Sequence, residues 1–382
     1  MGGGWSLRAA LERRPTPARL RGMLSGEKND KRMSTGSPPT FACPLPSNGG
    51  GQIVLAHGGG MRMTQRLLEE VFYPAFGNEA LDARHDGAAL TAPGGRLAFT
   101  TDSYVVHPLF FPGGSIGDLA VYGTVNDLAM CGARPLALSA GFILEEGLPI
   151  DVLKRVVSAM REAAARAQVR IVTGDTKVVE RGKGDGVYIN TSGIGVVEGP
   201  AINPSRIEPG DAILVSGDLG AHGIAILAAR EQLGVMTDLL SDAAPLWEPV
   251  QALLEAGIDV HCLRDLTRGG LAAATHELAS TRGLDIELDE ASIPVRDEVR
   301  GACELLGFDP LYIACEGRFC AFLPESQVDK ALDVLRRHEA SAGAVRAGRV
   351  LREARFGVVL KNRYGSARVL DLPSGEQLPR IC

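Results

Sequence analysis

Four aspartates stand in company that makes a carboxylate hard to explain. Asp86 lies in His-Asp-Gly-Ala-Ala, and Asp102 ends a β-like run as Phe-Thr-Thr-Asp-Ser. Asp127 falls inside an apolar helical stretch, Thr-Val-Asn-Asp-Leu-Ala, and Asp175 follows an apolar run as Val-Thr-Gly-Asp-Thr-Lys. A carboxylate beside apolar segments is costly to desolvate unless a positive charge joins it. Hard cations such as Mg2+ bind carboxylate and phosphate oxygens together. Four such residues on separate elements therefore suggest metal ions that hold a triphosphate. Each one alone reads as readily as a helix cap, a turn former or a surface charge. Asp127 fits that plainer reading least, because Asp has poor propensity in mid-helix and here it directly follows Asn126.

Three glycine-bearing segments could cradle phosphates: His57-Gly58-Gly59-Gly60, Pro112-Gly113-Gly114 and Asp265-Leu266-Thr267-Arg268-Gly269-Gly270. The last comes just before a helical stretch, so free N–H groups and the positive end of the helix dipole face the loop. Arg268 adds a planar donor suited to phosphate oxygens. An ordinary loop with Thr267 as N-cap is the competing account. None of the three is a Walker A or GxGxxG motif, so the common nucleotide folds are not supported. Lys177 lies two residues beyond Asp175, on the same face of an extended segment. Glu316 follows an apolar stretch, where a partly buried carboxyl would have a raised pKa and serve as a base. The seven histidines are dispersed without metal-ligand spacing. Six of the seven cysteines read as packing residues. Cys382, the last residue, differs: an exposed terminal thiol, with Pro379 stiffening its approach and Arg380 favouring thiolate. By itself it is also readable as an accident of the terminus.

The elements that must position these groups alternate. Strands are expected at 52–55, 88–91, 97–101, 136–144, 169–173, 186–197, 212–216, 284–288 and 319–323. Helices are expected at 62–72, from an opening at 112–117 to about 130, 150–168, 221–232, 269–280 and 326–338. Gly199-Pro200, Asn203-Pro204 and Pro209-Gly210 cluster in a dozen residues and mark a domain boundary. The expected organisation is a disordered extension over 1–50, an α/β domain over 51–200, a second over 201–371, and a tail over 372–382. The 382-residue chain has 45% hydrophobic and 23% charged residues, ordinary for a globular protein. Its formal net charge of −6 leaves no basic stripe for nucleic acid. No apolar run reaches the length of a membrane span. An odd cysteine count without a CxxC pair fits a reducing cytoplasm.

From about residue 52 onward the chain resembles the HypE family of hydrogenase maturation proteins. That family belongs to the superfamily of aminoimidazole ribonucleotide synthetase, selenophosphate synthetase and thiamine-monophosphate kinase. The resemblance is carried by Thr-Thr-Asp-Ser-Tyr-Val (100–105), Pro-Leu-Phe-Phe-Pro-Gly-Gly (108–114), Asn-Asp-Leu-Ala (126–129) and Gly-Phe-Ile-Leu-Glu-Glu-Gly (141–147). It continues through Val-Thr-Gly-Asp-Thr-Lys-Val-Val (172–179), Asp-Leu-Thr-Arg-Gly-Gly (265–270) and the closing Leu-Pro-Arg-Ile-Cys. It implies two α/β domains and a homodimer paired through the N-domain sheets, with ATP near that interface. It further implies Mg2+ on Asp86, Asp102, Asp127 and Asp175, and nucleotide contacts from Gly58, Gly59, Gly60, Asn126, Thr267, Arg268, Gly269 and Gly270. The implied reaction starts when the carbamoyltransferase HypF loads Cys382. The carbamoyl group is then dehydrated to a thiocyanate with ATP, with Lys177 and Glu316 assisting. The cyano group passes to iron on a HypC–HypD complex. A free small-molecule ATPase of the superfamily and a non-catalytic scaffold are the alternatives. The first fifty residues have no counterpart in the resemblance, and His57-Gly58-Gly59-Gly60 is a variant of the family's glycine loop.

Overall fold

The computed structural model describes residues 51–59, 61–84, 87–91, 93–230, 238–352, 355–372 and 380–381. The expected extension over 1–50 and the site residues Gly60, Asp86 and Cys382 lie outside these residues. The first half begins with helices α1 (Arg62–Leu67), α2 (Tyr73–Phe76) and α3 (Glu79–Asp82), of which α1 runs into α2 through one π-type turn. Strand β1 (Leu97–Tyr104), the short pair β2 (Phe110–Phe111) and β3 (Gly114–Ser115), helix α4 (Ile116–Met130) and strand β4 (Ala133–Glu145) follow. Helix α5 (Ile150–Arg166) and strands β5 (Arg170–Val179) and β6 (Val187–Val197) complete the half.

The second half contains β7 (Asp211–Val215), α6 (Ala221–Ala229), α7 (Trp247–Glu255), β8 (Cys262–Asp265), α8 (Gly270–Arg282) and β9 (Asp285–Asp289). It ends with α9 (Asp297–Leu306), β10 (Phe319–Pro324), α10 (Val328–Leu335), β11 (Val345–Leu351), β12 (Val358–Lys361) and β13 (Ala367–Val369). Among the described residues, no helix is long and apolar enough to cross a membrane.

Each half is built on one mixed sheet. The first has the order β1-β6-β4-β5, with only β4 and β5 parallel. The second has the order β13-β12-β9-β11-β7-β10-β8, with only β9 and β12 parallel. Two expectations fail near the start. Over 52–55, Gln52 forms an isolated bridge with Pro149 and a 3-10 turn begins at Leu55; residues 88–91 form no strand. Asp175 lies within β5 rather than after it.

Helix α5 shows why periodicity is readable. Leu153, Val156, Val157, Met160, Ala163 and Ala164 recur at helical spacing and are all buried. Helix α4 is different. Ser115 caps it by accepting from the N–H groups of Gly117 and Asp118. Nearly every residue beyond that cap is buried, so no polar face exists. One side of α4 covers the first sheet: Thr191 on β6 donates to the Ala120 carbonyl (2.7 Å) and Thr100 on β1 donates to Asp127 (2.7 Å). Its far end joins Ala129 and Met130 to Trp247, Val250 and Leu253 of α7 in one apolar cluster. The helix is a strut shared by both halves.

Candidate active site

Three elements bring acidic groups together at the second-half end of α4. Asp102 on β1 projects to the α4 side of the sheet, since it pairs with Thr191, whose side chain bonds α4. Asp127 stands on α4 and Asp265 at the end of β8. Burial raises the Asp127 carboxyl above its usual range and Asp102 pushes the same way, while the Thr100 hydrogen bond and Arg264 oppose. Asp265 is pushed up to about 7, chiefly by burial, then by the Asp127 and Asp102 charges. Asp265 was noticed in the sequence only as part of a loop. Its place beside Asp127 requires β8 at the edge of the second sheet, against α4, which no local pattern reveals.

Glu316 completes the group. It is 3% exposed, its Oε1 makes no hydrogen bond among the described residues, and its carboxyl is held well above the usual range. Burial is the main cause; Asp265, Asp242 and Asp102 add to it and Arg268 opposes. Its backbone is fixed from two sides. The Glu316 N–H donates to Asp242 Oδ1 (2.9 Å), and its carbonyl accepts from Asn126 Nδ2 (3.4 Å). The other Asn126 side-chain N–H donates to the Ala244 carbonyl (3.1 Å) and Asn126 Oδ1 accepts from the Leu246 N–H (2.8 Å). Asn126 thus ties the Glu316 backbone to residues 244 and 246.

The loop Thr267–Gly270 sits beside this group and opens α8. Gly269 and Gly270 have φ of +77° and +58°, and a Cβ on Gly270 would come within 2.6 Å of the Leu311 carbonyl oxygen. Only glycine serves there. The cap residue is Gly269, with no side-chain cap, rather than Thr267. No side chain caps the helix N-terminus, and Arg268 is exposed next to it.

The remaining candidates lie elsewhere. Asp175 and Lys177 form an ion pair (2.8 Å) on β5, and the hydrogen bond from Lys177 is the main reason the Asp175 carboxyl sits below its usual range. β5 is the edge opposite β1, about 14 Å away across three strand spacings. Asp175 pairs with Gly141 and Gly141 with Asn190, one residue off the Asp102–Thr191 row, so Asp175 faces away from α4. Gly58 belongs with this second group. Its Cα packs so closely on β5 that a Cβ would lie 2.6 Å from the Val178 nitrogen. Gly59 follows it, exposed. The open face of the sheet carries Phe99 (73% exposed) and Ile143 (44%), and a groove of about 390 Å³ lined by Ile143, Asp175, Lys177, Tyr188 and Asn190. Within one chain Asp102 and Asp127 lie near each other and Asp175 is on the opposite face of the sheet. Gly113, in the Pro112–Gly114 segment, packs against the Ser241 backbone.

Among the described residues no three acidic, histidine or cysteine side chains could hold a metal by themselves. The half-buried, mutually repelling carboxylates and the unbonded Glu316 Oε1 fit a site completed by a cation.

Residues 84–197 match the family described as AIR synthase related protein, N-terminal domain, and residues 208–361 match its C-terminal domain. A curated relative from Cupriavidus necator, named Carbamoyl dehydratase HypE, is 51% identical over 334 residues, covering 87% of this chain and 95% of the relative. The chain belongs to the HypE family. A solved structure described as hydrogenase maturation protein HypE in complex with ATP has a TM-score of 0.82 at 48% identity, covering 86% of this chain and 99% of that one. A structure of a HypE–HypF complex has a TM-score of 0.71 at 45% identity, covering 80% and 99%.

In this HypE-family chain the last described residues, Arg380 and Ile381, are held against the body. Ile381 is 3% exposed within the first half's apolar cluster. Its carbonyl meets His222 Nε2 at 2.7 Å, and the Arg380 side chain pairs with Asp185. His222 carries no local signal, since its partners are 19 and 159 positions away. One cysteine departs from expectation: Cys131, at the end of α4, is exposed rather than packed.

Proposed function

We propose that this chain is an ATP-dependent carbamoyl dehydratase that converts a carbamoyl group on its own Cys382 to a thiocyanate. The product would supply cyanide ligands to the iron of a nickel–iron hydrogenase. The observation that carries the reading is Glu316, a buried carboxyl with an unbonded oxygen, beside Asp265 and the open N-terminus of α8. It occurs in a chain half identical to curated carbamoyl dehydratases.

An amide oxygen is a poor leaving group. In the proposed course the carbamoyl oxygen attacks the γ-phosphorus of ATP. The new P–O bond forms as the bond to ADP breaks, and one N–H proton passes to solvent water. The resulting phosphorylated imidate loses its second N–H proton to the Glu316 carboxylate. The C–O bond then breaks, phosphate leaves, and S–C≡N remains. Glu316 must be ionised to act, so a positive charge has to reverse the upward push of its neighbours; Arg268 already works in that direction. The α8 N-terminus with Arg268 would bind phosphate oxygens. A magnesium ion on Asp102 and Asp127 would neutralise charge on the phosphates as they transfer. Lys177 and Asp175 would act from the open sheet face. In a homodimer paired through those faces they would complete a site begun by another protomer. Carriage on Cys382 makes the attack intramolecular and removes much of its entropic cost.

The HypE–HypF complex among the solved relatives supports HypF as the loading partner. A HypC–HypD complex is the proposed acceptor, and ATP use with free cysteines fits the cytoplasm. The test is mass spectrometry after incubation with the carbamoyltransferase, carbamoyl phosphate and ATP. Cys382→Ala should gain no carbamoyl mass, and Glu316→Gln should gain it and then fail to lose water. A carbamoyl adduct on Cys382→Ala would defeat the reading.

A further inference from the structure

The C-terminal end is gripped by residues that the reaction, as described, does not use. His222, on α6, is fully buried. Its Nε2 lies 2.7 Å from the Ile381 carbonyl oxygen and its Nδ1 lies 2.8 Å from Ser241 Oγ. A carbonyl oxygen only accepts, so Nε2 carries the hydrogen and Nδ1 accepts from the serine hydroxyl. Ser241 Oγ in turn accepts from the Ala243 N–H (3.2 Å). Every role in the chain is fixed, and the Phe111 ring stands edge-on to the imidazole at 5.5 Å. One residue back, the Arg380 carbonyl accepts from Arg230 (2.6 Å) and from the His107 N–H (3.3 Å). Arg380 has a φ of +59°, uncommon for a side-chain-bearing residue and maintained where contacts outweigh the strain.

The serine that orients His222 is the neighbour of Asp242, which holds the Glu316 backbone. The same short segment is pinned at Ser241, whose N–H donates to the Pro112 carbonyl (2.9 Å). One turn therefore fixes both the grip on the tail and the backbone of the proposed base. Cys382 is joined to Ile381 by a single peptide bond.

We propose that His222, oriented by Ser241, is a positioning residue: by holding the Ile381 carbonyl it aligns the group on Cys382 for dehydration, and it takes no part in loading that group. The inference rests on the proposed function. Burial lowers the imidazole pKa to about 4, so the ring is neutral at the pH of the cytoplasm and the latch is not a pH switch there.

The test compares His222→Asn, which cannot reach the Ile381 carbonyl, with His222→Gln, whose amide N–H can replace Nε2–H. The carbamoylated protein is given saturating ATP and conversion to thiocyanate is followed by mass spectrometry in a single turnover. His222→Asn should convert about 10- to 100-fold more slowly, the cost of a misplaced reacting group. Its carbamoyl uptake and KM for ATP should be unchanged, and His222→Gln should convert at close to the unaltered rate. Alkylation of Cys382, read by peptide mass mapping without any carbamoyl chemistry, should be faster in His222→Asn than in His222→Gln. Equal alkylation in the two variants, or equal conversion, would overturn the latch. If both variants convert slowly, the role is general packing and the proposal is also overturned. A failure of the proposed function reads differently: the unaltered chain would take up no carbamoyl group while the alkylation difference persisted.

Discussion

Asp127 and Asp175 belong to the same half of the chain and flank the same sheet, yet their surroundings drive them in opposite directions. Asp127 lies on the covered side, where burial and Asp102 raise its pKa. Asp175 lies on the bare side, where Lys177 lowers it. The covered side gathers carboxyls without enough cation, whereas the bare side holds a carboxylate already paired with Lys177, on a face with exposed Phe99 and Ile143. The sheet separates the two regions within one protomer. That separation is the ground for proposing that the site is shared across a dimer.

The strongest test of this division is at its two ends. Glu316→Gln removes the proposed base and should lower dehydration about 10²- to 10⁴-fold in single-turnover assays. Lys177→Met should lower it by roughly 10²-fold, as loss of one transition-state donor does. Mixing the two inactive proteins after reversible unfolding should restore about one quarter of the activity if the site is shared, because half the dimers are mixed and each then holds one intact site. No recovery would place both residues in one protomer's site and break the comparison. Next, Ile143→Asp on the bare face should shift the protein to monomer by analytical ultracentrifugation, with activity falling in step. Asp175→Asn should change thermal stability by less than about 1 kcal/mol, because the ion pair is exposed, while still impairing ATP turnover. The smallest effect is in pH. Asp265 binds its proton more tightly folded than unfolded, so without ATP or metal its contribution favours the fold at low pH. That contribution is lost as pH rises from about 4 to about 7. Asp265→Asn should flatten the fall in melting temperature between pH 5 and 7; an unchanged slope would mean Asp265 is not so shifted.

Much of this was readable from sequence where the signal is local. The burial pattern of α5 follows from its apolar spacing, and the shared face of Asp175 and Lys177 follows from the two-residue period of a strand. Asp127 stood out because its helix had no polar face to receive it. What stayed hidden depends on strand order and on contacts between distant positions. Nothing in Phe-Thr-Thr-Asp-Ser says that Asp102 lies on the opposite sheet face from Asp175. Asn126 was named as a nucleotide contact only through the resemblance, and its hydrogen bonds to residues 244, 246 and 316 become visible only once the halves are docked. Asp242, Ser241 and His222 have no motif at all; their roles come from the docking of the Ser241–Asp242 segment on α6 and on the Glu316 backbone.

The prolines and glycines between residues 199 and 210 mark the natural place to split the gene into two expression units. The shared strut makes that cut a poor one. A fragment ending there would carry α4 with Ala129 and Met130 stripped of their α7 cover and Asn126 stripped of its backbone partners. Its mate would expose Trp247 and Leu253 in return. Each fragment would present an adhesive apolar surface, so the two should be insoluble when made separately and recoverable when produced together. Covalent continuity across the linker is then a convenience of synthesis; what makes the halves inseparable is a helix that belongs to both.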